Sequence, residues 1–382
     1  MSSNIGAETG PQNSPRLWHA LGLMSGTSLD GIDVAMLETD GYHRVIAGPA
    51  LTISYPREFR ERLRSVLGGV GRIAPVEDEL TRLHAAAVGR FLQRYPETTV
   101  DIVGFHGHTI LHRPAEGHTW QLGDGKLLAQ LVECDVVADF RSADVAAGGE
   151  GAPLAPLFHA ALAAALAKPL AVLNIGGVAN VTWIGAQSEL LAFDTGPGNA
   201  LIDDWVRRRI GAVADIDGTL ARAGRASTAQ VERFLNSPYF QRLPPKSLDR
   251  DDFRDFVPEG LSLADGAATL TEMTAAAVAA AARHFPAPPR EWLVCGGGRH
   301  NPALMEALGR WLGATVRPVE AVDWDGDALE AQAFAYLAVR SILGLPLSLP
   351  STTGVTRPTS GGRLFHAHSA LTQTSDAAPI TD

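Results

Sequence analysis

Cysteine is nearly missing from this chain: 382 residues carry two, Cys134 and Cys295. A pair so far apart supplies no disulfide framework, and no CxxC or Cys/His spacing suggests a zinc site. Basic runs are missing as well. Lys and Arg number 32 against 42 Asp and Glu, a net charge of -10. Phosphate backbones demand clustered cations, so a general nucleic-acid binder is disfavoured. Nucleotide binding stays open, because Mg²⁺ can carry the local positive charge. No long hydrophobic run occurs either. The most apolar span, about 160–178, is broken by Lys168 and Pro169 and reads as a helix followed by a buried strand, with no membrane crossing. The first twenty residues lack a basic segment followed by an apolar core, so no signal peptide is expected and a cytoplasmic protein is.

The composition, 46% apolar and 19% charged, is that of a globular protein, and the length makes two domains the default. Residues 1–16 and 366–382 are polar and read as flexible tails. Between them the patterning predicts strands at 17–24, 32–38, 43–50, 101–105, 170–175, 179–184, 190–193 and 292–295. It predicts helices at 57–68, 76–95, 126–132, 154–167, 199–210, 228–236, 267–284, 302–312 and 328–342. That mixture is α/β.

The stretch 21–36, LGLMSGTSLDGIDVAM, is a strand, a small-residue turn and a second apolar strand. Gly26 and Gly31 permit close backbone approach to a ligand, Thr27 and Ser28 offer hydroxyls, and Asp30 and Asp33 suit a hard cation. The spacing imitates a Walker A loop, yet Ile32 stands where that loop needs Lys. A plain hairpin turn competes equally. A second unit of this form, Leu173 to Thr182 around Gly176-Gly177, suggests two related halves with ligand between them.

Five further segments are candidates for chemistry. Asp194 ends a strand and enters a Gly/Pro turn, where α/β sites are usually built, and Asn199 is placed to cap the next helix. The Gly296-Gly297-Gly298 run permits close approach to adenine or a phosphate. Around 139–154 a small-residue loop carries Arg141, able to grip a carboxylate or to pair with Asp139 or Asp144. Glu330 lies near a helix start, where capping is the plainer reading. His106, His108 and His112 crowd one stretch; a strand-end loop facing a cleft is favoured there over a metal site.

Taken together, the segments resemble the anhydro-N-acetylmuramic acid kinases. The likeness rests on GLMSGTSLDGID (22–33), GFHGHTILH (104–112), DFRSADVAAGGEGAPL (139–154), NIGGVANVT (174–182), FDTGPGN (193–199), PPKSLDR (244–250), VCGGGRHN (294–301) and LEAQAFA (329–335). It implies a two-domain actin, Hsp70 and sugar-kinase fold (ribonuclease H-like), with ATP and Mg²⁺ in an interdomain cleft. The N-terminal α/β domain would span 17–145, completed by a helix near 328–345, and the C-terminal one 146–327. It also implies the reaction, in which 1,6-anhydro-N-acetylmuramic acid, ATP and water give N-acetylmuramic acid 6-phosphate and ADP during cell-wall sugar recycling, and a homodimer.

On that resemblance Asp194 is the base. The nucleotide and its metal would meet Gly26, Thr27, Ser28, Leu29, Asp30, Gly31, Ile32, Asp33, Gly176, Gly177, Asn180, Gly296, Gly297 and Gly298, with Asp30 or Asp33 holding Mg²⁺ through water. Arg141 would meet the lactyl carboxylate, Glu330 would orient the sugar or the water, and His106 would belong to the sugar-binding residues. His108, Glu150, Leu248-Asp249 and Arg299 depart from the usual family residues. The residues alone leave rivals: a histidine-based metal hydrolase, an Hsp70-like or regulatory ATP-binding module, and a kinase of ordinary hydroxyl sugars.

Overall fold

A computed structural model describes residues 16–26 and 28–367. Thr27 and the terminal stretches 1–15 and 368–382 lie outside the described residues, and the expectations placed on them fall there too. Six strands come first: β1 (Trp18–Ser25), β2 (Gly31–Thr39), β3 (Val45–Ser54), β4 (Ile102–Arg113), β5 (His118–Leu122) and β6 (Val136–Ala138). Five more follow, β7 (Leu170–Ile175), β8 (Val178–Ile184), β9 (Leu190–Pro197), β10 (Glu291–Cys295) and β11 (Thr315–Pro318), before β12 (Arg363–Phe365) returns to the first group.

The first sheet has the order β12-β6-β4-β1-β2-β3, with β5 paired to β4, and the second β11-β10-β7-β8-β9. Their cores are the same. β1-β2-β3 and β7-β8-β9 are antiparallel meanders, β4 and β10 join the leading strands in parallel, and β6 and β11 add in parallel outside them. That strand order is the ribonuclease H-like unit, and its repetition within one chain is the actin, Hsp70 and sugar-kinase architecture. It bears out the reading of two related halves, each opening on a hairpin.

The helices are α1 (Arg57–Ser65), α2 (Ile73–Arg94), α3 (Gly125–Val132), α4 (Ser142–Ala146), α5 (Pro156–Leu162), α6 (Ala200–Ile210), α7 (Thr219–Ala223), α8 (Thr228–Leu235), α9 (Leu263–Ala282), α10 (Pro302–Leu312), α11 (Leu329–Ile342) and α12 (Pro350–Thr353). α1, α2 and α3 cover the outer face of the first sheet, and α9 and α10 that of the second. Both faces of β7 are buried: Leu170 and Val172 enter a central core while Ala171, Leu173 and Ile175 enter the outer one. The continuous apolar run LAVLNI follows from this two-sided burial.

α11 sits in the central core with residues of both sheets and of α5. Gly22 and Gly104 are register partners on β1 and β4. A Cβ on either would run into the carbonyl of Ala331 or Phe334, so the α11 backbone rests on this bare patch. That contact fixes where α11 begins, and with it Glu330.

Differences from the sequence reading are local. β4 runs on to Arg113, so the three histidines lie on a strand where a loop is expected. The 139–154 segment contains α4, and α5 is shorter than the 154–167 expected. Four short strands, β5, β6, β11 and β12, have no counterpart among the expected ones. Arg16 pairs with Asp101, and His366 and Ala367 hydrogen-bond to Asp135, so neither tail is loose where it joins the fold.

Candidate active site

Register places Asn174, Asn180 and Asp194 side by side across β7, β8 and β9. Directly opposed residues share a face, so the second sheet presents a polar row on the side away from Leu173 and Ile175. Asn174 Nδ2 donates to Glu330 Oε1 at 3.2 Å, which extends the row onto α11. Glu330 therefore serves as a partner across the sheets and makes no side-chain cap. The other amide atom, Asn174 Oδ1, is buried with no partner among the described residues.

Asp194 is 5% exposed. Its N–H donates to Lys246 O at 2.9 Å, and its carboxylate Oδ2 accepts from Leu248 N–H at 2.8 Å. The Tyr239 hydroxyl donates to its carbonyl. Burial pushes the carboxyl up to about 7, against the pull of the Leu248 N–H and of Arg141. A carboxylate poised near neutrality is what general-base catalysis uses. Its bond is to Leu248 and not to its own turn, so a purely local Asx role is set aside.

Arg141 donates through Nε and Nη2 to His106 Nε2, at 3.1 and 2.9 Å, and through Nη1 to Gly151 O at 2.8 Å. It pairs with neither Asp139 nor Asp144. His106 donates from Nδ1 to Gly107 O at 2.9 Å, which leaves Nε2 as the acceptor, and its ring lies 4.3 Å from that of Phe334. Burial and the adjacent guanidinium hold this imidazole well below its usual range, in the neutral form. Glu330 and Asp194 both act on the Arg141 charge, and burial raises Glu330. Asp194, Arg141, His106 and Glu330 thus belong to one site.

At the first hairpin, Leu29 N–H donates to Gly26 O at 3.1 Å with Leu29 at φ 62°, and Ser28 Oγ donates to Asp30 Oδ1 at 2.6 Å. A Cβ on Gly26 would meet only Ser28 Oγ, at 3.6 Å. One on Gly31 would strike the Ile53 carbonyl, so strand pairing and not ligand approach explains this glycine. The Leu29 and Ile32 side chains enter the outer core, which leaves only their backbone for a ligand. Asp33 accepts from Thr52 Oγ1 at 2.7 Å and is pushed up to about 7 by burial first and then by Asp30, Glu330 and Asp327.

The two later glycine turns meet each other. Gly298 packs on Ile175, and Gly296, at φ 73°, leaves no room for a Cβ beside Asn174 Oδ1. Gly176 O and Gly177 O accept from Asn199 and Gly198 N–H at 2.8 and 2.9 Å. The Asn199 side chain reaches back to Ile175 O at 3.2 Å and does not cap α6, because its own backbone is already helical.

The departures acquire reasons. Arg299, with its side chain 3% exposed, donates to Glu320 at 2.7 Å, to Asp327 at 2.9 Å and to Gly296 O at 3.0 Å, locking the glycine loop to the approach of α11. Glu150 accepts from Arg242 and Ser247, at 3.1 and 2.8 Å. Leu248 gives Asp194 a backbone N–H, which its side chain does not affect. His108 Nδ1 bonds to Ser25 Oγ at 2.9 Å and His112 Nδ1 to Thr119 Oγ1 at 3.1 Å, so the three histidines face separate partners. Among the described residues no three His, Cys, Asp or Glu groups form a metal cage. Tyr239, Lys246 and the pairing role of Asn174 escape the sequence reading; Asn174 and Lys246 lie inside recognised motifs but carry no local signal of their partners.

Two ribonuclease H-like sheets in one chain, with an acid-rich turn on one and a buried carboxylate on the other, place the protein in the actin, Hsp70 and sugar-kinase class of ATP-using folds. The family model described as "Anhydro-N-acetylmuramic acid kinase" matches residues 18–367, and the chain belongs to that family. A relative of that name from Paramagnetospirillum magneticum is 59% identical over 349 residues, covering 90% of this chain and 98% of the relative. Another from Acidiphilium cryptum is 57% identical over 356 residues, covering 91% and 98%. Among solved structures, a ligand-bound xylulose kinase from Lactobacillus acidophilus superposes with a TM-score of 0.43 at 9% identity, covering 92% of this chain and 94% of that one. No described helix is long and apolar enough to cross a membrane.

Proposed function

We propose that the protein opens the 1,6-anhydro ring of 1,6-anhydro-N-acetylmuramic acid with water and passes the γ-phosphoryl group of ATP to the freed O6. Asp194 takes a proton from the water that attacks C1. The C1–O6 bond breaks, O6 forms its bond to phosphorus, and ADP leaves with the electrons of the cleaved phosphoanhydride. Acetal opening ordinarily uses a second carboxyl as acid; here the phosphoryl group captures the departing oxygen, so one base suffices. Arg141, held by His106, meets the lactyl carboxylate, and Glu330 orients the sugar.

The phosphates lie against Gly26, Thr27, Ser28 and the backbone of Leu29 to Ile32, with Gly176, Gly177 and Asn180 opposite; Gly296, Gly297 and Gly298 flank the nucleotide. Asp30 or Asp33 would hold Mg²⁺ through water, and the metal would supply charge neutralisation for the transferring group. The donor set fits: these are oxygen ligands, Asp33 is kept high by burial and neighbouring carboxylates, and Mg²⁺ uses one or two carboxylates plus phosphates rather than a full cage. The two sheets would be the cores of two closing domains, 17–145 with the helix near 328–345 and 146–327. A cytoplasmic homodimer in cell-wall sugar recycling completes the reading, its assembly checked by sedimentation.

One observation carries this function: a buried carboxylate near neutrality, in electrostatic reach of a guanidinium that is itself fixed to a histidine. A coupled ADP assay with anhydro-muramic, plain muramic and glucosamine sugars in ¹⁸O-water tests it. Sugar-dependent ADP release with solvent oxygen at C1 is expected for the anhydro sugar alone. Equal turnover of an ordinary sugar hydroxyl would overturn it.

A further inference from the structure

Lys246 is 2% exposed. A desolvated ammonium is costly unless paired, yet no carboxylate forms an ion pair with it among the described residues. Its Nζ donates to Tyr239 O at 3.1 Å and otherwise lies over rings, 4.5 Å from the centroid of Tyr239 and 5.9 Å from that of Phe193. Ring faces attract a cation without neutralising it. Phe193 directly precedes Asp194. The Lys246 carbonyl accepts the Asp194 N–H, and the Tyr239 hydroxyl donates to the Asp194 carbonyl. The ammonium is therefore fixed behind the base twice, through its own main chain and through the residue that accepts its hydrogen bond. A methionine would fill the same volume without desolvating a charge.

We propose that Lys246 is a positioning residue for Asp194, whose buried ammonium holds the neighbouring carboxylate ionised while its main chain fixes the direction of β9. The inference rests on the assignment of Asp194 as the base. Burial first, and then Arg242 and Arg283, bring Lys246 down to about 8 against the opposing pull of Asp194. His284, whose buried Nε2 has no partner among the described residues, is held low by burial, Lys246 and Arg283, which favours its neutral form. Toward Asp194 itself, Arg141 and Lys246 favour the anion and Glu150 opposes it.

The test is the pH dependence of kcat/KM in the full-length protein, whose acid limb reports the free enzyme's base. In Lys246→Met the acid limb moves up, so that kcat/KM at about pH 6 falls about tenfold relative to its alkaline plateau, and Lys246→Arg restores it. Tyr239→Phe removes a hydrogen bond but no charge, and lowers the plateau without moving the limb. Lys246→Gln is a second neutral variant should the Met variant not fold, with binding of a non-hydrolysable ATP analogue as the check. An unmoved limb in either neutral variant overturns the inference. Retained turnover in Asp194→Asn would instead remove the base itself; a dead Asp194→Asn beside an unmoved limb sinks only the role of Lys246.

Discussion

Asp194 sits where water is scarce, and that placement sets reactivity against stability. Its carboxyl titrates at 3.8 in a model peptide and at about 7 here, because burial disfavours the anion. Between those values the folded protein holds a proton that the unfolded chain has lost. Stability therefore falls as pH rises through this window, and above about 7 the buried charge weighs in full. Asp194→Asn keeps an acceptor for the Leu248 N–H and removes the titration. It should abolish sugar phosphorylation, leave ATP binding intact, and raise Tm by a few degrees at about pH 8 but not at about pH 4. Equal Tm changes at both pH values would show that the carboxyl is not the buried, titrating group. Arg141→Lys is the complementary probe. A lysine cannot reproduce the fork on His106 Nε2 and Gly151 O, so the KM for sugar should rise about tenfold while that for ATP holds. Asp194 and Arg141 stand out in sequence because they are charged groups in small-residue turns, whereas Glu330, read first as a cap, and His106, on a strand, enter the site only through the family resemblance. The roles of Leu248 and Asn174 are not legible there, because their bonds join positions 54 and 156 residues apart.

Helix α11 and its glycine bed carry the same lesson at the scale of elements. The helix itself is plain from its apolar period, and its bounds, 329–342, differ by one residue from those expected. That its backbone needs two bare positions on β1 and β4 is invisible until register pairs Gly22 with Gly104. Gly22→Ala places a methyl in the Ala331 carbonyl, so α11 must lift and carry Glu330 with it. A loss of about 2–4 kcal/mol is expected in urea denaturation, together with a raised KM for the sugar. Gly89 gives the opposite sign. It lies inside α2 with nothing near its missing Cβ, so Gly89→Ala should add about 0.5–1 kcal/mol and leave activity unchanged. A destabilised Gly89→Ala would mean that this half-buried position on α2 has a partner. The strands that sequence does not reveal are short: β6 and β12 have three residues each, too few for an alternation to register, and pairing alone makes them strands.

Two sheets of one topology suggest two independent folding units, and the packing argues otherwise. The central core draws Ala20, Ala35 and Leu37 from the first sheet, Leu170, Val172 and Leu293 from the second, and most of α11 and Phe158 of α5 between them. Neither half closes that core alone. α11 follows the second half in sequence yet lies on the first, so the chain must return across the molecule before either inner face is covered. Arg299 reinforces the union by tying the glycine loop after β10 to Glu320 and Asp327, just ahead of α11. Multidomain proteins commonly unfold in steps. Here shared burial links the halves, so calorimetry should give one transition with calorimetric and van't Hoff enthalpies in agreement, and a fragment spanning 146–327 should bind 8-anilinonaphthalene sulfonate as a loosely packed state. Two resolved transitions, or a fragment with native near-ultraviolet dichroism, would show that each sheet carries its own core. Closure of the two sheets around two substrates would need an element common to both, and α11 is that element: it lies in the shared core and holds Glu330 against Asn174 of the second sheet.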